Sequence, residues 1–515
     1  MEIINSVFSW IIKQRIHQME LFIKYPIDVQ HELLLKLLQQ AKDTEWGKRY
    51  DFQSITNANE FANRVPLQDY ESLKNDIFRI RRGEQNILWP SEIKWFAKSS
   101  GTVSGKSKFI PVSKESLEDC HYKGGKDLLA IYHHNHVESK LILGKTLVVG
   151  GSSQINEFNN SSYFGDLSAI IMKNFPFWVE QRRVPTLEIA LMAEWESKIE
   201  KMAQFTINED VSNISGVPSW TLILLKKILE ITDKKYIHEV WPNLELYMHG
   251  GVSFLPYKEQ FDEILKGSNI NYYENYNASE GFFGLQDQKN CNEMLLMLDY
   301  GIFYEFIPMS NFNDEQPKTI TLEEVKLDVN YAVVISTNAG LWRYVIGDTV
   351  KFTSLNPFRF KVTGRTKHFI NAFGEELIIE NVENAIENAC KKADATIKEF
   401  TVAPVYLSNK TSGRHQWLIE FEKKPTNLNY FIEVLDNTLK NLNSDYEAKR
   451  YKDMILGLPE VIIVPQQTFY NWLKANNKLG GQHKVPRLSN DRKIVEEILS
   501  MYKRSLPNPS EGGAM

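Results

Sequence analysis

Residues 98–113 read KSSGTVSGKSKFIPVS, a polar loop rich in serine and glycine that separates two apolar runs. The nearest familiar pattern is the nucleotide-binding loop G-x-x-x-x-G-K-[ST], whose backbone N–H groups and lysine surround a phosphate. Only three residues separate Gly101 from Gly105, one fewer than that pattern requires. Alternating apolar residues over 93–97 and the run FIPV at 109–112 predict strand–turn–strand, whereas the kinase-type loop opens a helix. The loop therefore has a composition suited to phosphate in a different structural context.

Composition excludes several classes of protein. The chain has 515 residues, 43% of them hydrophobic and 24% charged, so it can bury a large core and we expect at least two domains. Its apolar runs are too short to cross a bilayer and its N-terminus lacks a small-residue cleavage site, so we expect no membrane partner and no signal peptide. A formal net charge of −5 offers no basic field for nucleic acid. Cys120, Cys291 and Cys390 have no paired spacing, which favours a reducing cytoplasm and no zinc site. We expect a cytoplasmic monomer or weak dimer.

Periodicity predicts a large N-terminal region and a smaller C-terminal one. At the start of the chain, apolar residues recur every three or four positions on both sides of Pro26, which predicts a helical hairpin with Asp28 as a cap. Buried-strand and helical patterns then alternate, as is typical of a mixed α/β body. We expect a large α/β domain over 1–363, a small α+β domain over 364–505 and a disordered tail over 506–515.

Three further stretches have the residues for chemistry. Ser279 and Glu280 come at the end of a predicted strand, just before a glycine, and Asp348 follows a glycine in a predicted tight turn. Lys478 and Lys484 flank a glycine pair near the C-terminus. Taken singly, each pattern also suits a plain role, namely a helix cap, an ordinary turn and a solvated loop. The stretches are YENYNASEGFFG (273–284), LWRYVIGDTVKF (341–352) and NKLGGQHKVPRLSNDR (477–492).

The order of these stretches is more informative than any one of them. A serine, threonine and glycine loop, a strand-end Ser-Glu, Arg-Tyr-x-x-Gly-Asp, a Gly-Arg hinge and a C-terminal loop lysine together resemble the plan of adenylate-forming enzymes. Within that superfamily, SSGTVSGKSKFIPVS, YNASEG, LWRYVIGD and GQHKVPR resemble the plant auxin-responsive Gretchen Hagen acyl acid–amido synthetases and their bacterial homologues. The resemblance extends over nearly the whole chain.

The resemblance implies a luciferase-like adenylate-forming fold with a small mobile C-terminal domain. It also implies a two-step reaction that uses ATP and Mg²⁺. A small carboxylic acid attacks the α-phosphate and releases pyrophosphate, and an amine, typically an amino acid, then displaces AMP to form an amide. The resemblance does not name the acid, because residues 150–168 and 460–464 lack the groups that would identify a substrate.

The resemblance assigns two catalytic residues, of which Glu280 would be the Mg²⁺ carboxylate and Lys484 would reach ATP when the small domain closes. Asp348 would accept hydrogen bonds from the ribose hydroxyls, and Arg365 would help at the hinge. The full nucleotide-binding set implied in this way is Ser99, Ser100, Gly101, Thr102, Lys106, Gly250, Gly251, Asn277, Ala278, Ser279, Glu280, Asp348, Arg365 and Lys484.

Two alternatives remain open at the level of sequence. An acyl-CoA ligase would keep the fold and pass the acyl group to a thiol instead of an amine. A non-enzymatic regulatory or DNA-binding protein would need a recognition helix with clustered basic residues, which the acidic balance of the chain does not favour.

Overall fold

The chain divides into two units, the first ending at Val362 and the second beginning at Thr363. The predicted phosphate loop over 100–107, most of the predicted hinge and the predicted tail lie outside the described residues. A computed structural model describes residues 2–99, 108–150, 155–159, 162–192, 194–251, 254–289, 291–366, 369–370, 375, 377–405, 413–443, 446–447, 450, 456–476, 478–479, 484–489 and 491–504.

The chain starts with two helices, α1 (Glu2–Lys24) and α2 (Pro26–Ala41), which confirms the two predicted helices. The predicted cap is wrong. Tyr25 is the N-cap of α2, and Asp28 lies inside the first turn. Pro26 occupies the first helical position because that position needs no backbone N–H donor, and the Asp28 carboxylate suits the positive end of the helix dipole.

A buried arginine ties α1 to distant parts of the chain. The Arg15 guanidinium donates to Asp127 at 2.6 and 2.8 Å and to Asp299 at 2.6 and 3.0 Å. Tyr300 also donates to Asp127, at 2.7 Å. Lys123 also donates to Asp299, at 2.9 Å, so the loss of Arg15 would leave the buried carboxylate of Asp127 without a cationic partner.

The first unit is built from helices around two sheets. Its α-helices continue with α3 (Glu45–Arg49), α4 (Ala58–Arg64), α5 (Tyr70–Arg81), α6 (Lys114–Ser116), α7 (Tyr122–Asn135), α8 (Leu167–Lys173), α9 (Phe177–Glu180), α10 (Leu187–Ala190), α11 (Trp195–Thr206), α12 (Pro218–Thr232) and α13 (Leu255–Ile264). Its strands are β1 (Trp95–Ser99), β2 (Lys108–Val112), β3 (Lys145–Val149), β4 (Asn156–Asn159), β5 (Ser162–Gly165), β6 (Arg183–Val184), β7 (Val211–Gly216), β8 (Leu246–Gly250), β9 (Asn271–Ala278), β10 (Gly281–Leu285), β11 (Met294–Leu296), β12 (Ile302–Pro308), β13 (Asn330–Thr337), β14 (Tyr344–Leu355) and β15 (Phe358–Arg365).

The larger sheet, as far as the described residues extend, has the strand order β12-β13-β14-β15-β11-β10-β9-β8-β7-β3-β6. The run from β9 to β6 is parallel, whereas β9, β10, β11 and β15 pair antiparallel to one another in that order. Parallel strands end at one edge of the sheet, so Val149, Gly216, Gly250 and Ala278 mark a common carboxyl edge. Ligands of open α/β sheets bind at this edge.

The smaller sheet of the first unit has the order β2-β1-β5-β4. Strands β1 and β2 pair antiparallel from Trp95↔Val112 to Ser99↔Lys108, which confirms the two strands predicted on either side of the polar loop. Ser99 is the last residue of β1, so the serine-rich loop leaves the sheet directly from its strand end.

The second unit is an α+β body with its own core. A three-stranded sheet orders β18-β19-β20, with β18 and β19 antiparallel and β19 and β20 parallel. Its centre is apolar, with Trp417, Phe431 and Ile386 buried together. The elements are β16 (Phe369–Ile370), β17 (Leu377–Ile378), α14 (Ile379–Ala393), β18 (Thr396–Val405), β19 (Arg414–Lys423), α15 (Leu428–Leu442), β20 (Glu460–Val464), α16 (Thr468–Ala475) and α17 (Lys493–Arg504).

The fold bears on the predicted domain organisation and on the predicted absence of a membrane-crossing helix. A mixed α/β body with a large N-terminal and a smaller C-terminal unit is confirmed. Among the helices that the structure describes, none is both long and apolar enough to cross a membrane. The three cysteines are free thiols.

Candidate functional site

A tight turn carries the Ser-Glu pair at the carboxyl edge of the larger sheet. Ala278 pairs with Gly281 across the β9–β10 hairpin, so Ser279 and Glu280 are the two residues of the turn. The strand end is therefore confirmed, and the alternative that Ser-Glu-Gly caps a helix is wrong. A Cβ at Gly281 would lie 2.6 Å from Ile302 Cδ1, which explains why glycine closes the turn.

The chemistry of the turn suits a phosphate or a hard cation. Ser279 is buried, and among the described residues its Oγ has no hydrogen-bond partner. The half-buried Glu280 is its neighbour in the turn. Since a buried polar atom without a partner is costly, a group that supplies one is favoured here. Hydroxyl and carboxylate oxygens are the ligands that Mg²⁺ prefers, so the pair fits the Mg²⁺–nucleotide implied by the sequence.

Asp348 lies within a strand, so the predicted tight turn is wrong. It belongs to β14, where residues 346–348 form a bulge opposite the single residue Val333 of β13. Gly347 has φ +93°, a conformation that favours glycine, and this allows the extra residues to leave the ladder. The Gly-Asp dipeptide therefore marks a bulge, and the bulge redirects the carboxylate.

Tyr276 brings Asp348 to β9. Its hydroxyl donates to Asp348 Oδ2 at 2.5 Å, and its ring lies against Phe283 with a centroid separation of 4.8 Å. The sequence prediction missed Tyr276, although its aromatic ring directly precedes the Asn-Ala-Ser-Glu motif. This contact places the carboxylate of Asp348 beside the strand that ends in the Ser279–Glu280 turn.

At the glycine pair that ends β8, the backbones of β8 and β9 approach each other closely. A Cβ at Gly250 would lie 2.3 Å from the carbonyl oxygen of Asn275, and Gly251 has φ +77°. The Asn275 side chain also donates to the His249 carbonyl at 3.1 Å. Both glycines are therefore required by the backbone, and they leave the carboxyl edge beside β9 without side chains.

A histidine on the opposite side of β9 is a second residue that the sequence prediction missed. His121 Nδ1 lies 3.2 Å from Asn277 Oδ1, and its ring is buried. Burial lowers the pKa of His121 to about 4, so the ring is neutral at pH 7. The two residues are 156 positions apart, and no local pattern connects them.

Arg343, in the predicted motif LWRYVIGD, has a structural role. Its guanidinium donates to both oxygens of Glu305 at 2.9–3.2 Å and to the carbonyl oxygens of Ala62 and Val65 at 2.7 and 2.6 Å. All of these partners lie before β14, so Arg343 fixes the start of the strand that carries Asp348.

Of the residues predicted for the nucleotide site, one group lies together and the others do not. Gly250, Gly251, Asn277, Ala278, Ser279, Glu280 and Asp348 meet at one edge of the first unit. Arg365 and Lys484 are exposed residues of the second unit, and Lys478 places its ammonium 5.4 Å from the centre of the Trp472 ring. Ser100, Gly101, Thr102 and Lys106 lie outside the described residues. Within the part of the chain that the structure describes, no cluster of three or more His, Cys, Asp or Glu side chains could hold a metal ion.

The fold is luciferase-like and resembles that of one class of solved proteins, the adenylate-forming enzymes. A solved GH3.15 acyl acid amido synthetase superposes with a TM-score of 0.75 at 18% identity, covering 92% of this chain and 93% of that one. A 2-hydroxyisobutyryl-CoA ligase in the postadenylation state, in complex with 2-HIB-AMP, superposes with a TM-score of 0.59 at 11% identity, covering 92% of each chain.

Within that class the chain belongs to the GH3 family, which confirms the predicted family. The GH3 family N-terminal domain matches residues 15–270, the GH3 family central domain matches 295–365 and the GH3 family C-terminal domain matches 380–493.

Curated relatives of the chain are acyl acid–amido synthetases. Indole-3-acetic acid-amido synthetase GH3.3 of Arabidopsis thaliana is 22% identical, over 91% of this chain and 90% of its own length. Jasmonoyl-L-amino acid synthetase JAR4 of Nicotiana attenuata is 26% identical, over 94% and 95%. The 4-substituted benzoates-glutamate ligase GH3.12 of Arabidopsis thaliana is 22% identical, over 91% and 94%. These relatives conjugate three chemically different acids.

Proposed function

We propose that the chain is an ATP-dependent acyl acid–amido synthetase that joins a small carboxylic acid to an amine, typically an amino acid. One observation carries the proposal: Asp348 and the Ser279–Glu280 turn meet at the carboxyl edge of the larger sheet, linked through Tyr276 of β9. Family membership supports the reaction type, since the relatives are amido synthetases.

The first step of this reaction requires little covalent participation from the protein. A carboxylate is a poor nucleophile towards a polyanion, so catalysis consists mainly of neutralising charge and aligning the reactants. Asp348 accepts hydrogen bonds from the ribose and so fixes the nucleotide at one end. The adenine ring would lie against the backbone of Gly250 and Gly251, which carries no side chains.

The phosphate end of the nucleotide is assigned to the hairpin turn. Glu280 would hold Mg²⁺, with the Ser279 hydroxyl beside it, and the ion would neutralise phosphate charge. The resemblance assigns Lys484 of the second unit to this first step, to which it would contribute a positive charge. It likewise assigns the triphosphate to Ser99, Ser100, Gly101 and Thr102, and Lys106 would contribute further positive charge.

Pyrophosphate exchange tests this proposal without knowledge of the amine. The purified protein is incubated with ATP, Mg²⁺, labelled pyrophosphate and a panel of aromatic, fatty and hydroxy acids, and the label is followed into ATP. We expect at least one acid to give exchange. Absence of exchange with every acid, together with no detectable ATP binding by calorimetry, would show that the chain is not an adenylating enzyme.

The same acid then separates the two acceptor chemistries. With the activating acid fixed, amino acids and coenzyme A are supplied in parallel and the products are identified by mass spectrometry. We expect an amide with an amino acid. A thioester formed in place of the amide would assign the chain to the acyl-CoA ligases instead.

A further inference from the structure

The helix that follows β2 contains one π-helical turn, Leu117–His121, between α6 and α7. The backbone N–H of Tyr122 donates to the carbonyl of Leu117, five residues earlier, so the turn holds one more residue than an α-helical turn. Single π turns are rare and occur frequently at functional sites. Here the turn changes which side chains face the β9–β10 hairpin.

The π turn presents two neighbouring residues to that hairpin. Cys120 Sγ accepts a hydrogen bond from the backbone N–H of Phe282 at 3.1 Å, and His121 bonds to Asn277. Gly124 follows on the same side, where a Cβ would lie 2.6 Å from the Phe282 ring. The helix is thus packed closely on the hairpin, and the position of His121 relative to Asn277 is fixed by backbone contacts.

The hydrogen bond between His121 and Asn277 determines which of their polar groups remain available to a ligand. An amide carbonyl oxygen only accepts, so the contact between Nδ1 and Oδ1 requires that His121 carry its hydrogen on Nδ1. Because the ring is neutral, Nε2 is then unprotonated. With its Oδ1 engaged, the half-buried Asn277 has an NH₂ group left to donate to a ligand.

Asn277 and Tyr276 face opposite sides of β9. Successive side chains of a strand alternate, and directly paired residues share a face. Asn277 pairs with Phe282 on the face covered by α7, whereas Tyr276 contacts Phe283 and Asp348 on the other face. The ribose-binding carboxylate and the Asn277 amide therefore lie on different sides of the same strand end.

We propose that His121 is a positioning residue that holds the Asn277 amide in one orientation, so that its NH₂ group donates to the carboxylate of the bound acyl acid. This inference rests on the proposed function, and it moves Asn277 from the nucleotide-binding set that the resemblance implied to the site of the acid. It assigns the acid to the α7 face of β9, because the Asp348 face is given to the nucleotide. His121 acts through Asn277 and does not itself touch the reacting atoms.

The first test separates binding of the acid from binding of ATP. In the pyrophosphate exchange assay, Asn277→Ala should raise the KM for the acid about ten- to a hundredfold, the size of one hydrogen bond to a charged group. His121→Phe should raise it about three- to tenfold, because it removes only the neutral hydrogen bond that orients the amide. Affinity for ATP, measured by calorimetry, should stay within about twofold. A double variant no worse than Asn277→Ala alone supports the proposal, because both changes remove the same contact. An unchanged KM, independent effects of the two changes or a parallel loss of ATP affinity would overturn it.

Two isosteric variants test the geometry of the bond. The Asn side chain places its NH₂ near the position of the histidine Nδ1, whereas the Gln side chain places it near that of Nε2. His121→Asn should therefore keep the KM near the wild-type value, and His121→Gln should not. Equal rescue by both variants contradicts the proposed bond. His134→Phe is the matched control, since His134 is exposed on the same helix, and melting temperatures of all variants show which of them are folded.

The position of the ring hydrogen of His121, measured by NMR, tests this inference separately from the proposed function. In the protein labelled with ¹⁵N at histidine, one neutral ring with its hydrogen on Nδ1 should disappear in His121→Phe and change in Asn277→Ala. If the wild-type ring carries its hydrogen on Nε2, the positioning role is wrong even for an active enzyme. If the Nδ1 form is found and no acid gives exchange, the hydrogen bond between His121 and Asn277 is supported. In that case the role of Asn277 in binding the acid is wrong, and so is the proposed function.

Discussion

The hydroxyl of Tyr276 donates to Asp348 Oδ2 at 2.5 Å, across 72 positions of sequence, and so joins the end of β9 to the bulge in β14. The contact holds a carboxylate beside the strand whose turn carries Ser279 and Glu280. A ribose bound at Asp348 therefore meets an acceptor whose orientation is fixed before the nucleotide arrives, which lowers the entropic cost of binding.

Removal of this acceptor should weaken ATP binding. We expect Asp348→Ala to cost about 1–3 kcal/mol of binding free energy, because ribose hydroxyls lose a charged acceptor. Tyr276→Phe should cost about 0.5–1.5 kcal/mol, since it only frees the carboxylate to rotate. Calorimetry with Mg²⁺ measures both. Tyr272→Phe is the control, because Tyr272 donates from the same strand to Asp262 at 2.9 Å. Unchanged affinity in folded Asp348→Ala would show that the ribose binds elsewhere.

Glu280 should act on the rate rather than on ATP affinity. Glu280→Gln removes the charge that holds Mg²⁺ and keeps the size of the side chain, so we expect the exchange rate at saturating ATP to fall by about tenfold or more. The Mg²⁺ concentration for half-maximal rate should rise. Glu259→Gln, on an exposed position of α13, controls for loss of one carboxylate. A wild-type Mg²⁺ dependence in Glu280→Gln means that another group holds the ion.

Lys484 should serve the first half-reaction. Lys484→Ala should lower adenylate formation by about a hundredfold or more, while ATP affinity changes only a few-fold, because a charge used in the transition state is lost. Aminolysis of a supplied acyl-adenylate should be much less affected. Lys478→Ala is the matched control, since the Lys478 ammonium already lies over the Trp472 ring. Equal losses in both half-reactions would assign Lys484 to both steps, and a loss only in Lys478→Ala would exchange the two roles.

Buried histidines should make the first unit sensitive to acid. Burial lowers the pKa of His249 to about 3 and that of His121 to about 4, below the ordinary value of 6.5. Between these limits the unfolded chain binds more protons than the folded one, so the free energy of unfolding decreases as the pH falls from about 6.5 towards 3. His249→Phe keeps a ring against Phe254 and should flatten this dependence. Denaturant titrations at pH 7, 6, 5 and 4.5 measure the slope. A variant as acid-sensitive as the wild type would show that other groups dominate.

The sequence predicted elements whose signals are local. The strands on either side of the polar loop and the strand end before Ser279 follow from local sequence patterns, and the structure contains them. The position of Asp348 was predicted wrongly because Gly-Asp is a turn signal, whereas the same glycine freedom can also produce a bulge inside a strand. Which of the two forms depends on the partner strand β13, and a local pattern does not contain that information.

The sequence also did not predict the contacts that complete the site, because they join residues that are far apart in the chain. His121 meets Asn277 only because a π turn rotates the helix, and a π turn has no composition of its own. Arg343 belongs to the LWRYVIGD stretch that carries the family resemblance, yet it donates to Glu305, to the Thr319 hydroxyl and to two backbone carbonyls that precede β14. Long-range partners decide whether a charged residue serves chemistry or the fold.

Arg15 has a consequence for the order in which the protein is made. Its partner Asp299 is synthesised 284 residues after it. At about 5–20 residues per second this interval lasts roughly 14 to 57 s. Throughout that time the Arg15 guanidinium lacks one of the two carboxylates that accept its hydrogen bonds. The hydrogen bonds of this buried arginine are therefore completed only after more than half of the chain has been made.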